Sequence, residues 1–362
     1  MTLVRAENLK HILATLMERA GTERERAVVC AEHLVLANLK GHDSHGVGMA
    51  PSYVRWITAG KLFPNARPEV IQDKGAVMLV DGRFGLGAPI AKETTEMAIG
   101  RAKQMGVACV ALRNACHIGR IGTYGEQCAD AGLVSMHYVN VVGAGPAVAP
   151  FGGREPRMLT NPYCCAMPRA NGEHIVLDFA TSAVAIGKLR VAFMKGEKAP
   201  AGALVDTDGR PTDDVRSFFT GESRSLLLPF GLHKGGGMQI LCELLGGALA
   251  GQWTIQPDSH RNPGAAVNNM LSIIIDPDAL GGRESFEAEA EAMLDYIRTT
   301  APAEGFDRVR LPGDPERESL ARRSADGIPI DDNTWAQILE AASSVGMDAA
   351  SLSRFGVEAA PV

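Results

Sequence analysis

The chain has 362 residues, 46% of them hydrophobic and 22% charged, with a formal net charge of -6. That length suggests two or three domains, and the mild, unclustered charge leaves no footprint for nucleic acid. No apolar run is long enough to span a bilayer and residues 1–7 lack the apolar centre of a signal peptide, so a cytoplasmic enzyme is the default expectation.

The first sixty residues read as helices. Thr22, with Glu25 three residues on, forms a capping box before a helix over 26–40 whose apolar positions recur at helical spacing. Gly41 ends that helix, and residues 51–59 form another, closed by Gly60. From about Ala76 the pattern changes: 76–80 and 107–112 read as buried strands, with a helix over 91–104 between them. A short helix at 125–131 precedes a strand over 133–142. Apolar runs of strand length follow at 163–168, 175–179, 225–228 and 270–276, interrupted by helices at 183–195 and 237–250. Helices return at 286–298, 316–323 and 333–342. The expected architecture is α/β, a central sheet domain over 76–284 with helices packed against it from both termini, 1–75 and 285–362. Seven cysteines without a CxxC pair read as free, buried thiols of a reducing compartment.

The most informative stretch is Gly41-His42-Asp43-Ser44-His45-Gly46-Val47-Gly48. It gathers two imidazoles, a carboxylate and a hydroxyl between glycines at the exit of a helix. Histidine gives or takes a proton near neutral pH, and a neighbouring carboxylate or hydroxyl fixes its tautomer. Three readings stay open on these residues alone: proton transfer, a capped structural turn, or a metal site built on His42 and His45.

A nicotinamide enzyme of this size commonly carries G-x-G-x-x-G between a strand and a helix. Here Gly143-Ala144-Gly145 continues with Pro146, and Gly85-Leu86-Gly87 with Ala88 and Pro89, so the third glycine is missing from both. No P-loop is present either. Other segments offer bare amides to an anion. His233-Lys234-Gly235-Gly236-Gly237 reads as a loop before an apolar helix, while Leu311-Pro312-Gly313-Asp314 and Asp178-Phe179-Ala180-Thr181-Ser182 read as turns opening helices. Arg120, beyond Gly119, is a candidate for a phosphate.

In this order, Gly41 to Gly48, His117-Ile118-Gly119-Arg120-Ile121-Gly122, Ala149-Pro150-Phe151-Gly152-Gly153, Thr160-Asn161-Pro162, Asp178 to Ser182, Gly187-Lys188, Pro211-Thr212, His233-Lys234-Gly235 and Leu311-Pro312-Gly313 resemble the malate/L-lactate dehydrogenase family, which lacks a Rossmann fold. The match runs from the first helix to about Gly346. The strings 42–49, 53–56 and 117–122 look most like members that reduce 2-oxo acids, aromatic ones included. The resemblance implies a non-Rossmann sheet domain that binds NADPH or NADH. It also implies a homodimer with its site near the subunit boundary, the helical region supplying substrate and dimer contacts. It places the acid/base on His45; the residues around it add Asp43 or Ser44 as orienting groups and His117 as substrate ligand or alternate base. Cofactor contacts fall on Gly119, Arg120 and Ile121, on Thr160 and Asn161, and on Asp178, Phe179, Ala180 and Thr181. Others fall on His233, Lys234 and Gly235, on Asn268, and on Pro312, Gly313 and Asp314. No metal, nucleic acid or membrane partner is implied.

Two positions depart from the family pattern. Many relatives carry an arginine four residues after the catalytic histidine, where it holds the substrate carboxylate; here Met49 stands there. Arg55, Arg120 and Lys234 are the replacement cations. Gly236-Gly237 replaces a pair that usually contains tyrosine. The expected activity is interconversion of 2-oxo and 2-hydroxy acids by hydride transfer, with bulky or aromatic tails preferred. NADPH is favoured through a pairing of Arg120 with the 2′-phosphate. An imine or ketimine reductase on the same scaffold, a metal-dependent hydrolase or lyase using His42, His45 and His117, and a non-catalytic cofactor-binding protein are the alternatives.

Overall fold

The computed structural model describes residues 2–220, 224–250, 253–256 and 264–347. Strand β1 (Thr2–Val4) leads into α1 (Ala6–Arg19) and α2 (Arg24–Leu39). The buried positions of α1 are Leu9, Ile12, Leu13, Leu16 and Met17, a three-four spacing that forms one stripe against α2. Gly21, at φ +97°, closes α1 by letting the Thr22 and Gly21 amides turn back to Met17 and Glu18. The expected capping box does not form. Helix α2 starts at Arg24, the Thr22 hydroxyl is buried without a partner among the described residues, and the Glu23 amide donates to Asn65 Oδ1 at 2.8 Å. A distant side chain therefore outcompetes the local cap. Helix α3 (Ala50–Thr58) follows.

The sheet is built from β2 (Glu69–Lys74), β3 (Val77–Gly85), α4 (Gly87–Met105), β4 (Val107–Cys116), α5 (Gly122–Asp130), β5 (Val134–Val142), β6 (Tyr163–Met167) and β7 (Ile175–Phe179). A smaller lobe then forms from α6 (Ile186–Lys195), β8 (Leu204–Val205), β9 (Pro211–Thr212), α7 (Val215–Thr220) and β10 (Leu226–Leu227). Helix α8 (His233–Cys242) continues as a π-helical stretch, Glu243–Ala248, before β11 (Val267–Ile275). The described chain closes with α9 (Arg283–Arg298), α10 (Asp314–Asp326), β12 (Ile328–Ile330) and α11 (Asp332–Ser344).

Seven strands form the large sheet in the order β2-β3-β4-β11-β5-β6-β7, and only β3 and β4 run parallel. The late strand β11 is threaded into its centre. This is a mixed sheet rather than a doubly wound parallel one, in keeping with the missing fingerprint. Strand β12 pairs antiparallel with β1, tying the C-terminal helices to the N-terminal ones. Trp335 and Ile338 of α11 share one core with α1, α2 and Tyr53 and Val54 of α3. A second core lies between the sheet and helices α4 and α5, and a third inside the small lobe.

Three expectations are corrected. The run at 225–228 supplies β10, which belongs to the small β10-β8-β9 sheet and not to the large one. His233-Lys234-Gly235-Gly236-Gly237 is the first turn of α8 rather than a loop before it. Asp178 and Phe179 end β7, and the next helix opens only at Ile186, so that segment opens no helix. All seven cysteines are free, five of them buried, with Cys109 and Cys165 half-buried. No helix among the described residues is long and apolar enough to cross a membrane.

The cores enclose two histidines that make the fold acid-sensitive. His137 on β5 is fully buried between the Ser272 and Ser135 hydroxyls, at 2.8 and 3.0 Å, and burial pulls its pKa down to about 4. Burial, aided by Arg120, pulls His33 down to about 3. Both bind a proton more tightly when unfolded, at roughly 6.5. Their stabilisation is therefore complete above about pH 6.5 and declines as pH falls towards 4, by about 1.4 kcal/mol per histidine per pH unit. Between pH 7.5 and pH 5.0 this pair alone should remove about 4 kcal/mol of stability to urea, with any other buried histidine of depressed pKa adding to the loss. Equal midpoints and slopes at the two pH values would refute this reading.

Candidate active site

Helix α2 ends in a left-handed Gly41 (φ +84°), with the amides of His42 and Gly41 returned to the Ala37 and Asn38 carbonyls. This exit delivers a single 3-10 turn, Asp43–His45. The Asn38 amide donates to Asp43 Oδ1 at 2.6 Å and its carbonyl accepts from the Val47 amide at 2.7 Å. Asp43 in turn takes both arms of Arg323 from α10, at 2.6 and 3.0 Å. Asp43 therefore anchors the turn between two helices and does not orient His45. His42 turns to Glu316 Oε1 at 3.1 Å, so it diverges from His45. Among the described residues no three His, Cys, Asp or Glu side chains converge as metal ligands.

His45 meets His117, the first residue after β4. Its Nδ1 lies 3.1 Å from His117 Nε2, with the two rings near parallel. On the far side His117 Nδ1 lies 2.7 Å from the Tyr53 hydroxyl, carried by α3. The order is thus His45, His117, Tyr53, running from a half-buried ring to a fully buried phenol. Burial pulls His45 down to about 4, against the opposing pull of Asp178, and pulls His117 well below its usual value. The His117 backbone is fixed from below. A Cβ on Gly87, at the start of α4, would lie 2.1 Å from the carbonyl oxygens of both Cys116 and His117, so only glycine lets the helix approach. Tyr53 escaped sequence reasoning; its signal was its place in the string 53–56, one helix beyond the histidines.

Of the segments singled out for the cofactor, 118–122 follows His117 directly, and several are tied to one another by hydrogen bonds. Asn268 on β11 accepts from the Ile118 amide at 3.0 Å and donates to the Asn140 carbonyl. Gly119 is left-handed (φ +74°) and packs on His33, whose Nε2 accepts from the Arg120 amide at 3.1 Å. Asp178 accepts from the Gly122 amide at 2.8 Å, at the start of α5. Thr181 donates its amide to the Thr160 carbonyl and its hydroxyl to the Asn161 carbonyl. Asn161 donates to the buried Glu243 at 2.7 Å. The Pro312 carbonyl accepts from the Val176 amide of β7, while Asp314 Oδ2 caps the Leu311 amide at 2.8 Å. Gly235 is required where it stands, since a Cβ would lie 1.8 Å from the Phe230 oxygen; His233 and Lys234 project into solvent.

Arg120 departs most from expectation. Its side chain is fully buried and its fork closes on Glu126 at 3.0 and 2.9 Å, with Asp178 3.6 Å from Nε and Lys40 also on Glu126 at 2.6 Å. Both Nη atoms of the guanidinium are taken by Glu126, and its Nε is buried without a hydrogen-bond partner among the described residues.

The family model for malate/L-lactate dehydrogenases matches residues 4–339. The chain belongs to the malate/L-lactate dehydrogenase family. It is 41% identical over 351 residues to hydroxycarboxylate dehydrogenase B of Escherichia coli strain K12, covering 97% of this chain and 96% of that one. The structure of sulfolactate dehydrogenase from Methanocaldococcus jannaschii superposes with a TM-score of 0.85 at 33% identity, over 96% of this chain and 98% of that one. Δ1-piperideine-2-carboxylate reductase from Pseudomonas syringae superposes with a TM-score of 0.79 at 33% identity, over 94% and 100%. Members of this family are 2-hydroxy acid dehydrogenases and related reductases that use nicotinamide cofactors.

The residues present fit such a group in their donor set. Asn161 keeps a buried Oδ1, and Thr123 in the first turn of α5 a buried hydroxyl, neither with a partner among the described residues. An amide-bearing ring with hydroxylated sugars supplies partners for both.

Proposed function

We propose that the protein reduces 2-oxo acids to 2-hydroxy acids and catalyses the reverse, with NADPH or NADH, and that it prefers substrates with bulky or aromatic tails. The observation that carries this is the His45–His117–Tyr53 chain, whose middle residue leads directly into the 118–122 segment. The nicotinamide supplies or removes hydride. Asn161, Asp178 to Thr181, and Gly119 to Ile121 would hold it, and His45 exchanges the proton with the substrate oxygen. A positioned acid of this kind contributes ~10²–10⁴-fold.

Met49, four residues beyond His45, is half-buried and packs against the helical core. An adaptable thioether there favours an apolar tail, and a second carboxylate meets little compensation. With Arg120 closed on Glu126, the carboxylate of a 2-oxo acid is left to Arg55, exposed on α3 and bonded to Ser52, or to the exposed Lys234. Wild type should show higher kcat/KM for phenylpyruvate than for oxaloacetate. Met49→Arg should move that ratio towards oxaloacetate by about tenfold or more, the value of one charge-assisted pair. A wild-type preference for oxaloacetate, or an unmoved ratio, would count against the proposal.

The deciding assay follows NADPH or NADH oxidation with pyruvate, phenylpyruvate and oxaloacetate, with and without methylamine or ammonia. Turnover only with amine present would favour imine reduction, the reading suggested by the likeness to the piperideine-carboxylate reductase. A preference for NADPH would require a cation other than Arg120, and Lys188 and Lys234 are the exposed lysines within the matched segments. A homodimer belongs to this proposal. Ile240, Leu241, Leu244 and Leu249 expose an apolar face along α8 and its π continuation, which a second copy would cover.

A further inference from the structure

The reading of His45 as proton donor leaves open what sets the protons on the two rings behind it. His45 must be an imidazolium to reduce and a neutral base to oxidise. In the imidazolium both nitrogens carry a proton. After Nε2 gives its proton to the alkoxide oxygen, the neutral ring retains Nδ1–H. The Nδ1 proton is thus present in both states, and it needs an acceptor throughout. His117 Nε2, 3.1 Å away, is that acceptor only while its lone pair is free. A neutral His117 with a free Nε2 carries its proton on Nδ1, where the Tyr53 oxygen lies at 2.7 Å. The Tyr53 proton then turns to the His117 carbonyl at 3.4 Å.

We propose that Tyr53 is a positioning residue that holds His117 as its Nδ1–H tautomer, so that His117 Nε2 accepts from His45 Nδ1–H and His45 Nε2 alone exchanges protons with the substrate. The opposite polarity would aim His117 Nε2–H at His45 Nδ1 and expel the proton that an imidazolium needs. Other polar groups around the pair are already engaged. Cys116 Sγ points to the Phe84 carbonyl, the Tyr124 hydroxyl donates to the Ile118 carbonyl, and His33 accepts from the Arg120 amide. Cys30, also facing Tyr53, is held as a neutral thiol by burial. On the His45 side stand Asp178, bonded to Gly122, His42, bonded to Glu316, and Arg120, bonded to Glu126. Tyr53 fills the place of the carboxylate in a catalytic triad but adds no charge. Proton balance is kept: one proton leaves His45 Nε2 per carbonyl reduced and returns from solvent, while the two bonds behind it stay as they are.

Two measurements test this. Imidazole 15N spectra of the histidine-labelled wild type near pH 7.5 should show His117 protonated at Nδ1 and bare at Nε2; protonation at Nε2 overturns the proposal. Tyr53→Phe, assayed with phenylpyruvate and NADPH and again with NADH, should lose ~10-fold or more in kcat with KM changed little. The pH at which its reduction rate falls off should move to lower values, because the imidazolium loses its relay. A Tyr53→Phe enzyme with unchanged kcat and pH profile overturns the proposal while leaving His45 as the donor. A folded His45→Ala enzyme with wild-type kcat removes the donor reading itself, and the tautomer assignment with it. The 15N measurement needs no variant, so it decides the matter even if Tyr53→Phe does not fold.

Discussion

His45→Ala should lower kcat by ~10²–10⁴-fold while the nicotinamide cofactor still binds with near-normal affinity. The loss follows from position: His45 Nδ1 is committed to His117, and the remaining ring nitrogen is the group left to protonate an alkoxide. His45→Gln keeps a polar side chain but no exchangeable acid, and should fall almost as far. The pH dependence has a definite sign. Burial holds His45 at about 4 in the free protein, so at neutral pH the ring is mostly neutral. Reduction needs the protonated form, so kcat/KM for reduction should fall as pH rises above that pKa. Oxidation needs the neutral form and should reach its plateau above it. A bound substrate carboxylate favours the imidazolium, so the kcat midpoint should lie above the kcat/KM midpoint. Stopped assays in both directions from pH 5 to 9 check this. A folded His45→Ala enzyme with kcat within a few-fold of wild type would exclude the mechanism.

What the sequence revealed follows what kind of interaction decides each element. Helices α1 and α2 were legible because their buried residues recur every three or four positions. Strands β4, β5 and β11 were legible as apolar runs buried in the sheet. Strand β2, Glu69–Lys74, was not, because every residue in it is exposed and its polar sequence carries no alternation. Two-residue strands such as β8 and β9 leave no periodicity at all, and the run that supplies β10 did not reveal which sheet it joins. The Gly235-Gly236-Gly237 run looked like a loop because glycine is a poor helix former. Its reason is tertiary, the close approach of Gly235 to the Phe230 carbonyl. At the site, His45 and His117 were legible as proton-capable residues in glycine-bounded turns. The roles of Asp43, Arg120 and Tyr53 were not, because each is set by a partner far along the chain: Arg323 for Asp43, Asp178 as well as Glu126 for Arg120, and His117 for Tyr53.

Arg120→Ala should unfold the protein before it alters cofactor choice. Its side chain is fully buried, and it makes a two-pronged pair with Glu126 beside Asp178. Burial alone would raise the Glu126 carboxyl, but Arg120 and Lys40 outweigh it and hold the group below its usual range. Removing the arginine leaves Glu126 with Lys40 as its one ion-pair partner among the described residues and takes a counter-charge from Asp178, whose carboxylate holds the start of α5 through the Gly122 amide. Breaking such a buried pair from one side typically costs about 3–5 kcal/mol. Arg120→Lys keeps the charge but not the fork, and should fall between. Pairing Arg120→Met with Glu126→Leu should recover part of the loss, since no unpaired glutamate is then buried. Urea unfolding at pH 7.5 measures all four proteins. If Arg120→Ala instead unfolds like wild type and loses affinity for NADPH but not NADH, the guanidinium binds the 2′-phosphate after all, and the ion pair with Glu126 must open when cofactor enters.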